Sequence, residues 1–215
     1  MFDLILFDLD GTLTDPKEGI TNCVKYALDA YGITENDEKV LLRFIGPPLV
    51  DSFMSIYGMT PEQAEKAVSK YRERFSAVGL FENSLLPGAE DLLKELKKDG
   101  RTIALATSKP FVFAKRIIEK YGIEQYFDYA VGSELDGTRN YKDEVISEVL
   151  RMAKPKELSE TVMIGDRKHD IDGAKKCGIA SIGLRCGYAE TGELEKAGAD
   201  YIFENLLELK KFLLK

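Results

Sequence analysis

The chain has 215 residues, of which 44% are hydrophobic, and it carries a formal net charge of −7. This length suits one domain or a core with a modest insertion, and it is enough to bury a core without disulfides or a structural metal. The negative charge argues against a nonspecific nucleic-acid binder, since that function needs a basic surface. Three scattered cysteines indicate neither a disulfide framework nor a zinc site.

The N-terminal segment lacks the pattern of a secretory signal peptide. Its sequence MFDLILFD carries acids where a signal peptide has basic residues, and its apolar run is too short. No stretch of the chain approaches the ~20 apolar residues that span a bilayer. We therefore expect a cytoplasmic protein that has neither a membrane nor a nucleic acid as its partner.

A buried strand is predicted near the start of the chain. Residues 4–7 are an unbroken apolar run, which is typical of a strand buried on both faces of a parallel sheet. A turn follows at Gly11, and from Pro16 the apolar residues recur at helical spacing up to Gly32. The chain is therefore expected to pass from a strand into a helix within its first 20 residues.

The segment that follows is predicted to be helical throughout. Apolar residues suggest a second helix over 40–45, which ends at the Gly-Pro-Pro sequence at 46–48, because neither a helix nor a central strand accommodates it well. Another helix is predicted from the capping-box sequence TPEQ at 60–63. Residues 15–84 are thus interpreted as a purely helical insertion.

From residue 85 the pattern changes to alternating strands and helices. Further strands are predicted over 102–107, 129–132, 161–164, 179–184 and 201–203. Such alternation implies a parallel sheet that helices cover on both faces. The predicted fold class is α/β, with a doubly wound parallel sheet formed by residues 1–14 and 85–215. The small all-helical cap, residues 15–84, is inserted after the first strand.

Polar residues stand at the ends of three predicted strands. They are Asp8 and Asp10 after the first strand, Thr107, Ser108 and Lys109 at the end of the second, and Asp166 and Asp170 after the strand at 161–164. Open α/β sheets bind ligands at the carboxyl ends of their strands. We therefore expect these side chains to converge, with Lys142 available from the segment before its helix.

Four converging carboxylates indicate a bound cation. Two like charges about 5 Å apart, at an effective dielectric constant of about 20, repel by roughly 3 kcal/mol. A hard divalent cation removes this cost, and Mg²⁺ takes one or two carboxylates together with a substrate phosphate. The sequence therefore predicts Mg²⁺ as the cofactor and leaves one aspartate for chemistry.

Four short motifs resemble, in order, the signatures of the haloacid dehalogenase superfamily. DLDGT at 8–12 resembles the first signature, Thr107 the second, Lys142 the third and GDRKHD at 165–170 the fourth. The similarity covers the whole chain, and it is closest to phosphoglycolate phosphatases and related nucleotidase-like enzymes. It implies a Rossmann-like core and Mg²⁺-dependent hydrolysis of a small phosphate monoester through an aspartyl-phosphate.

The resemblance also implies a role for each residue of the predicted site. Asp8 would attack phosphorus, and Asp10 would protonate the leaving group and then activate water. Thr107 and Lys142 would hold the phosphoryl oxygens. The implied metal ligands are Asp8, Asp10 through its carbonyl, and Asp166. Asp170 would either bind the metal directly or contact the residues that do. The implied substrate contacts are Gly11, Thr12, Ser108 and Lys109, with Arg43, Gly46, Pro47 and Pro48 from the cap.

Several interpretations of these residues stay open at this point. Lys109 rivals Lys142 for the phosphate, and Asp170 could instead cap the helix that follows it. His169, the single histidine, is interpreted as structural or as part of the rim of the site. Phosphoglycolate is the first expected substrate, and a nucleoside 5′-monophosphate, the substrate of a 5′-nucleotidase, is the alternative.

Other functions are compatible with the same fold. A sugar-phosphate mutase is disfavoured because the loop at 46–49 lacks a basic residue to grip a second phosphate. A dehalogenase would use Asp8 to attack carbon without Mg²⁺, and the remaining aspartates argue against it. A noncatalytic phosphate-binding protein is disfavoured by the complete set of catalytic residue types.

Overall fold

The computed structural model, which describes residues 2–215, divides the chain into two compact units. The first comprises the described residues up to Asp15 together with Leu85–Lys215, and the second is Pro16–Ser84. Within residues 2–215, no helix has the length and apolar character needed to cross a bilayer.

The first unit is built on a parallel sheet. The strands of the chain are β1 (Leu4–Phe7), β2 (Thr14–Asp15), β3 (Ser84–Leu85), β4 (Thr102–Pro110), β5 (Tyr129–Ser133), β6 (Thr161–Gly165), β7 (Ala180–Leu184) and β8 (Tyr201–Phe203). Six of them form one sheet in the order β5-β4-β1-β6-β7-β8, with every neighbouring pair parallel. The short strands β2 and β3 pair with each other. The predicted α/β fold class is confirmed.

Helices follow most of these strands. They are α1 (Lys17–Asp29), α2 (Glu38–Leu42), α3 (Leu49–Tyr57), α4 (Pro61–Ala77), α5 (Ala89–Lys98), α6 (Phe111–Lys120), α7 (Lys142–Ala153), α8 (Lys168–Lys176), α9 (Glu193–Ala197) and α10 (Leu206–Leu213). Single 3₁₀ turns occupy Gly79–Phe81, Glu124–Tyr126 and Leu158–Glu160.

The sheet is buried because its central strands are apolar on both faces. All four residues of β1 are at most 3% exposed. On one face, apolar residues of β1, β4 and β6 pack with those of α7: Leu4, Leu6, Ala104, Ala106, Met163, Val145, Ile146 and Val149. Because β1 lies between β4 and β6, the carboxyl ends of these three strands adjoin one another.

The second unit consists of α1 to α4 around its own aromatic core. The rings of Phe44 and Phe53 meet edge to face with centroids 4.9 Å apart, and those of Tyr71 and Phe75 stack at 5.2 Å. The predicted capping box is confirmed, since the backbone N of Thr60 donates to the Gln63 side chain at 2.9 Å. This box fixes the start of α4.

Some elements differ from the sequence-based expectation. The strand expected over 102–107 continues to Pro110, after a shift in its pairing with β5. The expectation that residues 15–84 are purely helical is wrong at both ends, which lie in β2 and β3. The helix expected over 40–45 and ending at Gly-Pro-Pro is α2, which spans Glu38–Leu42, so its expected end is wrong. It stops at Leu42 because residues 43–45 form tighter turns, in which each backbone N donates to the carbonyl three residues earlier. The next helix, α3, starts directly after Pro48.

Candidate active site

The loop after β1 carries the first two aspartates. Asp8 follows the strand, and its backbone N donates to the Ile164 carbonyl at 2.9 Å, which holds it against the end of β6. The next residues form a tight turn, in which the Gly11 N donates to the Thr14 carbonyl at 2.7 Å. Asp8 and Asp10 are 5% and 8% exposed. Two carboxylates are therefore held, nearly dry, at the carboxyl end of the central strand.

Three aspartates form a buried acidic cluster. Asp8, Asp166 and Asp170 each offer a carboxylate oxygen, and these oxygens all lie within 4.8 Å of one another. Glycines make the approach possible: a Cβ on Gly11 would collide with Asp166, and one on Gly165 would collide with Asp170. Gly11 also has a φ of +81°, which favours glycine. The structure thus brings together the acids that the sequence placed at separate strand ends.

Hydrogen bonds orient the two aspartates that follow β6. Asp166 Oδ1 accepts from Thr12 Oγ1 at 3.2 Å, and its Oδ2 accepts from the backbone N of Tyr188 at 2.7 Å. Asp170 Oδ2 accepts from the Arg167 N at 3.0 Å. Asp170 therefore does cap the first turn of α8 with one oxygen, and its other oxygen faces the acidic cluster.

Lys142, the first residue of α7, enters this cluster as its buried cation. Its Nζ lies 2.8 Å from Asp8 Oδ1 and 2.9 Å from Asp170 Oδ1, and it donates to the Ala106 carbonyl at 3.0 Å. Burial by itself lowers the pKa of Lys142, but the Asp170 and Asp8 carboxylates outweigh it and raise that pKa above the ordinary value. A Cβ on Gly173 would crowd the Lys142 side chain. The ammonium is therefore fixed on the Asp8 carboxylate.

Lys109 occupies a different place in the site. Its Nζ lies 2.7 Å from Asp10 Oδ2, and both side chains are largely buried. Burial raises the pKa of Asp10, Lys109 partly offsets that rise, and Asp8 adds to it. Lys142 therefore pairs with Asp8, and Lys109 pairs with Asp10. Which of the two lysines contacts a phosphate stays a prediction.

The end of β4 adds a hydroxyl group. Thr107 is 2% exposed, and its Oγ1 accepts from the backbone N of Lys109 at 3.2 Å. The Ser108 carbonyl accepts from Ser133 Oγ at 2.8 Å, which ties this strand end to β5. A hydroxyl that accepts one hydrogen bond keeps its own proton to donate. Thr107 can therefore offer that proton to an anionic oxygen.

The segment between β7 and α9 also contributes to the site, which the sequence analysis missed. The backbone of Gly187 and Tyr188 lies against Asp166, since a Cβ on Gly187 would collide with that side chain. Glu193 Oε1 accepts from Arg167 Nε at 2.9 Å and from the backbone N of Lys168 at 2.8 Å. Tyr188 is 22 positions from Asp166, so no short motif links them. The one sequence feature that could have indicated this segment is its position after β7, because open α/β sheets bind ligands at the carboxyl ends of their strands.

The substrate-contact residues predicted in the cap lie in the second unit. Arg43 is exposed at the end of α2, Gly46 has a φ of +106°, and Pro48 directly precedes α3. Pro47 lies between them in the same turn. A role of these residues in binding substrate stays a prediction.

His169 lies on α8, next to Asp170 in the sequence. Burial lowers the pKa of His169, and the neighbouring Arg167 and Lys168 lower it further. The imidazole is therefore neutral at pH 7, where it adds no positive charge to the site.

The donor set of the acidic cluster fits a hard divalent cation. Oδ1 of Asp8 and Oδ1 of Asp170 are buried without a partner in hydrogen-bond geometry, although Lys142 lies within ion-pair distance of both. Burial raises the pKa of Asp166 well above 3.8, and the Asp170 and Asp8 charges raise it further. All three candidate ligands supply carboxylate oxygens, which Mg²⁺ prefers. A cation bound here would relieve their repulsion.

Comparison with known proteins agrees with this geometry. Residues 5–184 match the family model of haloacid dehalogenase-like hydrolases. Over 209 residues the chain is 44% identical to a 5′-nucleotidase of Pseudomonas aeruginosa, covering 97% of this chain and 94% of that protein. It is 29% identical over 214 residues to a phosphoglycolate phosphatase of Vibrio parahaemolyticus, covering 96% and 93%. A crystal structure of a predicted phosphatase from Clostridium acetobutylicum superposes with a TM-score of 0.96 at 44% identity, covering 100% and 99%.

Proposed function

Because the chain belongs to the haloacid dehalogenase-like hydrolases, we propose that it hydrolyses a small phosphate monoester with Mg²⁺, using Asp8 as the nucleophile. The observation that carries this proposal is the buried Asp8 carboxylate, held by Lys142 beside Asp166 and Asp170. A carboxylate fixed in this way, next to a cation site, suits attack on a phosphoryl group.

The residues of the acidic cluster have separate tasks in this proposal. Asp8, Asp166 and Asp170 would hold Mg²⁺, which when bound neutralises negative charge on the phosphoryl oxygens. Lys142 orients the Asp8 carboxylate, since its ammonium lies 2.8 Å from Oδ1. Thr107 donates its hydroxyl proton to a phosphoryl oxygen. Together these groups orient the nucleophile and stabilise the charge of the transferring group.

Asp10 is assigned the proton transfers. In the first step an Asp8 oxygen bonds to phosphorus, the ester P–O bond breaks, and Asp10 gives its proton to the leaving oxygen. In the second step water attacks phosphorus, Asp10 takes the proton of that water, and phosphate leaves with Asp8 restored. The pKa of Asp10 is raised by burial, which increases its protonated fraction for the first step.

For the substrate we infer a nucleoside 5′-monophosphate ahead of phosphoglycolate. The 44% identical relative is named a 5′-nucleotidase, whereas the phosphoglycolate phosphatase is 29% identical. This order reverses the first expectation from the sequence. Phosphoglycolate is the second candidate because that relative also matches over 96% of the chain. In either case the leaving group would be recognised by cap residues Arg43, Gly46, Pro47 and Pro48.

The nucleophile assignment is tested with the variant Asp8→Asn. A neutral amide cannot form the acyl-phosphate, so turnover of a phosphate monoester should fall below about 1% of wild type with the fold retained. Asp172→Asn, at an exposed position of α8, is the matched control and should keep wild-type turnover. Residual turnover of Asp8→Asn above that level, after exclusion of deamidation and contaminating phosphatase, would contradict the assignment.

The metal requirement is tested on the wild-type protein. Chelation with EDTA should stop turnover, and added Mg²⁺ should restore it. Ca²⁺ should not restore it, because it accepts about six to eight ligands and engages carboxylates in both-oxygen geometry. Full turnover of the phosphate monoester in EDTA would contradict the proposed metal requirement.

Two matched substrate pairs distinguish the substrate candidates. A nucleotide pocket should prefer a nucleoside 5′-monophosphate over ribose 5-phosphate, because the base adds contacts that the sugar lacks. A carboxylate-reading pocket should instead prefer phosphoglycolate over ethyl phosphate. The kcat/KM ratio within each pair is the measurement, and a ratio near one for the nucleotide pair would contradict the nucleotidase proposal.

A further inference from the structure

Tyr188 is held at both ends by groups of the first unit. Its backbone N donates to Asp166 Oδ2 at 2.7 Å, and its phenol donates to Asp15 Oδ1. One residue therefore joins a carboxylate of the acidic cluster to a second carboxylate outside it. Neither Tyr188 nor Asp15 belongs to the four sequence motifs described above.

Asp15 is a firm anchor because the loop before it is fixed. It is the last residue of β2, which follows the tight turn that carries Asp10. Within that turn, the backbone N and the Oγ1 of Thr14 both donate to the Leu9 carbonyl, at 2.9 and 3.2 Å. The Asp15 carboxylate is thereby placed relative to the same loop that carries the proposed acid and base.

The phenol of Tyr188 acts as a hydrogen-bond donor to Asp15. A tyrosine phenol has an ordinary pKa of about 10, so it carries a proton to donate at pH 7. An ionised acceptor strengthens such a hydrogen bond relative to a neutral one. The side-chain end of Tyr188 is therefore fixed to the β2 end of the loop.

The backbone end of Tyr188 acts directly on Asp166. A Cβ on the preceding residue, Gly187, would collide with both the Asp166 side chain and the Gly11 carbonyl, so the segment lies in close contact with them. Asp166 Oδ1 is held by Thr12 Oγ1, and Oδ2 is held by the Tyr188 N. Because each carboxylate oxygen of Asp166 accepts a hydrogen bond, the orientation of this carboxylate is fixed.

We propose that Tyr188 is a positioning residue for Asp166: its phenol, bound to Asp15, holds the backbone N–H that orients the metal-binding carboxylate. The proposal rests on the proposed function, in which Asp166 binds Mg²⁺. Partners that orient a ligand in this way typically contribute 10–100-fold to metal affinity. Since the phenol acts through the backbone, its loss should weaken Mg²⁺ binding by about 10-fold.

The test is the variant Tyr188→Phe, which removes the phenol oxygen and keeps the ring. Its dissociation constant for Mg²⁺, measured by calorimetry on metal-free protein, should rise about 10-fold, while kcat at saturating Mg²⁺ stays within about threefold of wild type. Tyr126→Phe is the matched control, because the Tyr126 phenol also donates to a carboxylate, that of Glu90, at an exposed place. Its Mg²⁺ affinity should equal that of wild type.

A double-mutant cycle tests whether the Tyr188 phenol affects Mg²⁺ binding through its hydrogen bond to Asp15. Asp15→Ala removes the acceptor, so the double variant with Tyr188→Phe should bind Mg²⁺ no more weakly than the weaker single variant. Asp15→Asn keeps an acceptor oxygen and should retain affinity within about threefold of wild type. Thermal unfolding of each metal-free variant identifies those that are folded at the temperature of the titration.

Two results would overturn the proposal. One is a Mg²⁺ affinity of Tyr188→Phe equal to that of Tyr126→Phe, and the other is full additivity of the Tyr188 and Asp15 effects. The proposed function fails in a different way, since wild-type protein would then neither bind Mg²⁺ in the calorimeter nor need it for turnover. The two failures are therefore distinguishable in the wild-type titration alone.

Discussion

At the scale of single residues, the site holds more carboxylates than cations. Four buried aspartates, Asp8, Asp10, Asp166 and Asp170, face the largely buried side chains of two lysines, so the fully ionised set has a formal charge of −2. The lysines pair with Asp8, Asp10 and Asp170, and Asp166 is bound by neutral donors. A divalent cation would balance this charge.

The uncompensated charge of Asp166 predicts how metal-free protein responds to pH. The pKa of Asp166 in the folded state is raised well above 3.8, first by burial and then by Asp170 and Asp8. Its stabilising contribution is therefore complete below about pH 3.8 and is lost as the pH rises through the raised pKa. Asp166→Asn has no proton to lose at this position. The free energy of unfolding of Asp166→Asn, relative to wild type, should therefore rise as the pH increases above about 3.8, by up to ~1.4 kcal/mol per pH unit.

Urea unfolding of both proteins in metal-free buffer measures this difference. Asp172→Asn, at an exposed position of α8, is the control for removal of a carboxylate that lies outside the acidic cluster. Excess Mg²⁺ at pH 7 should reverse the order, because it stabilises only a protein that binds it. A difference for Asp166→Asn that stays flat with pH in metal-free buffer would contradict the assigned electrostatics.

At the scale of elements, the sequence predicted strands best where apolar runs end at turn residues. The bounds of β1 and β8 agree with the predicted residues 4–7 and 201–203. The extension of β4 to Pro110 was not predictable from its polar end, because it depends on pairing with Ser133 after a shift in register. Strands β2 and β3 have two residues each, which is too short for any alternation to show.

In the site, the convergence of the aspartates was predictable from the sequence, whereas the contacts of individual side chains and of the Tyr188 backbone were not. The convergence of Asp8, Asp166 and Asp170 follows from strand order, because the carboxyl ends of adjacent parallel strands share one edge. The pairing of Lys109 with Asp10 depends on the rotamers of two side chains, which a sequence does not specify. Tyr188 contacts the site through its backbone, so its residue type carries no signal of that contact.

The anchoring of α9 to the loop after β6 predicts a large effect of one substitution. Glu193 lies in α9 and pairs with Arg167, and their side chains are 9% and 10% exposed. Removing one partner of a buried ion pair typically costs 3–5 kcal/mol. Glu193→Ala should therefore lower the free energy of unfolding by about 3 kcal/mol in urea titrations.

The control for Glu193→Ala removes one partner of an exposed ion pair, whose charges are screened by water. Glu148 pairs with Arg151 one helical turn later on α7, and the Arg151 side chain is 70% exposed. Glu148→Ala should change the free energy of unfolding far less than Glu193→Ala does, since exposed pairs contribute little. Equal losses in the two variants would show that Glu193 does not anchor the loop as a buried partner.

At the scale of the whole molecule, the chain separates into two units with different proposed tasks. Every residue of the acidic cluster lies in the first unit, and the helical unit, Pro16–Ser84, begins directly after the β1 loop and β2. The groups of the cluster are all assigned to the transferred phosphoryl group, the metal or the proton. We therefore expect the choice of leaving group to depend on the helical unit.

This division predicts that the turn before α3 controls substrate preference. Replacing Pro47, Pro48 and Leu49 together by alanine should change the kcat/KM ratio of a nucleoside 5′-monophosphate to ribose 5-phosphate by at least about 10-fold, equivalent to ~1.4 kcal/mol. Turnover of an aryl phosphate should be spared, because its good leaving group needs little recognition. The double variant Glu65→Ala and Lys66→Ala, on the exposed side of α4, is the control.

The comparison is informative because both variants alter the same unit. A general loosening of the helical unit would lower the rate for every substrate and leave the ratios unchanged. Removal of two prolines also adds entropy to the unfolded chain, so the assays belong at temperatures where both variants are fully folded. If the ratio is constant in the turn variant, or if phosphopeptides are hydrolysed as well as small esters, then substrate choice does not reside in this turn.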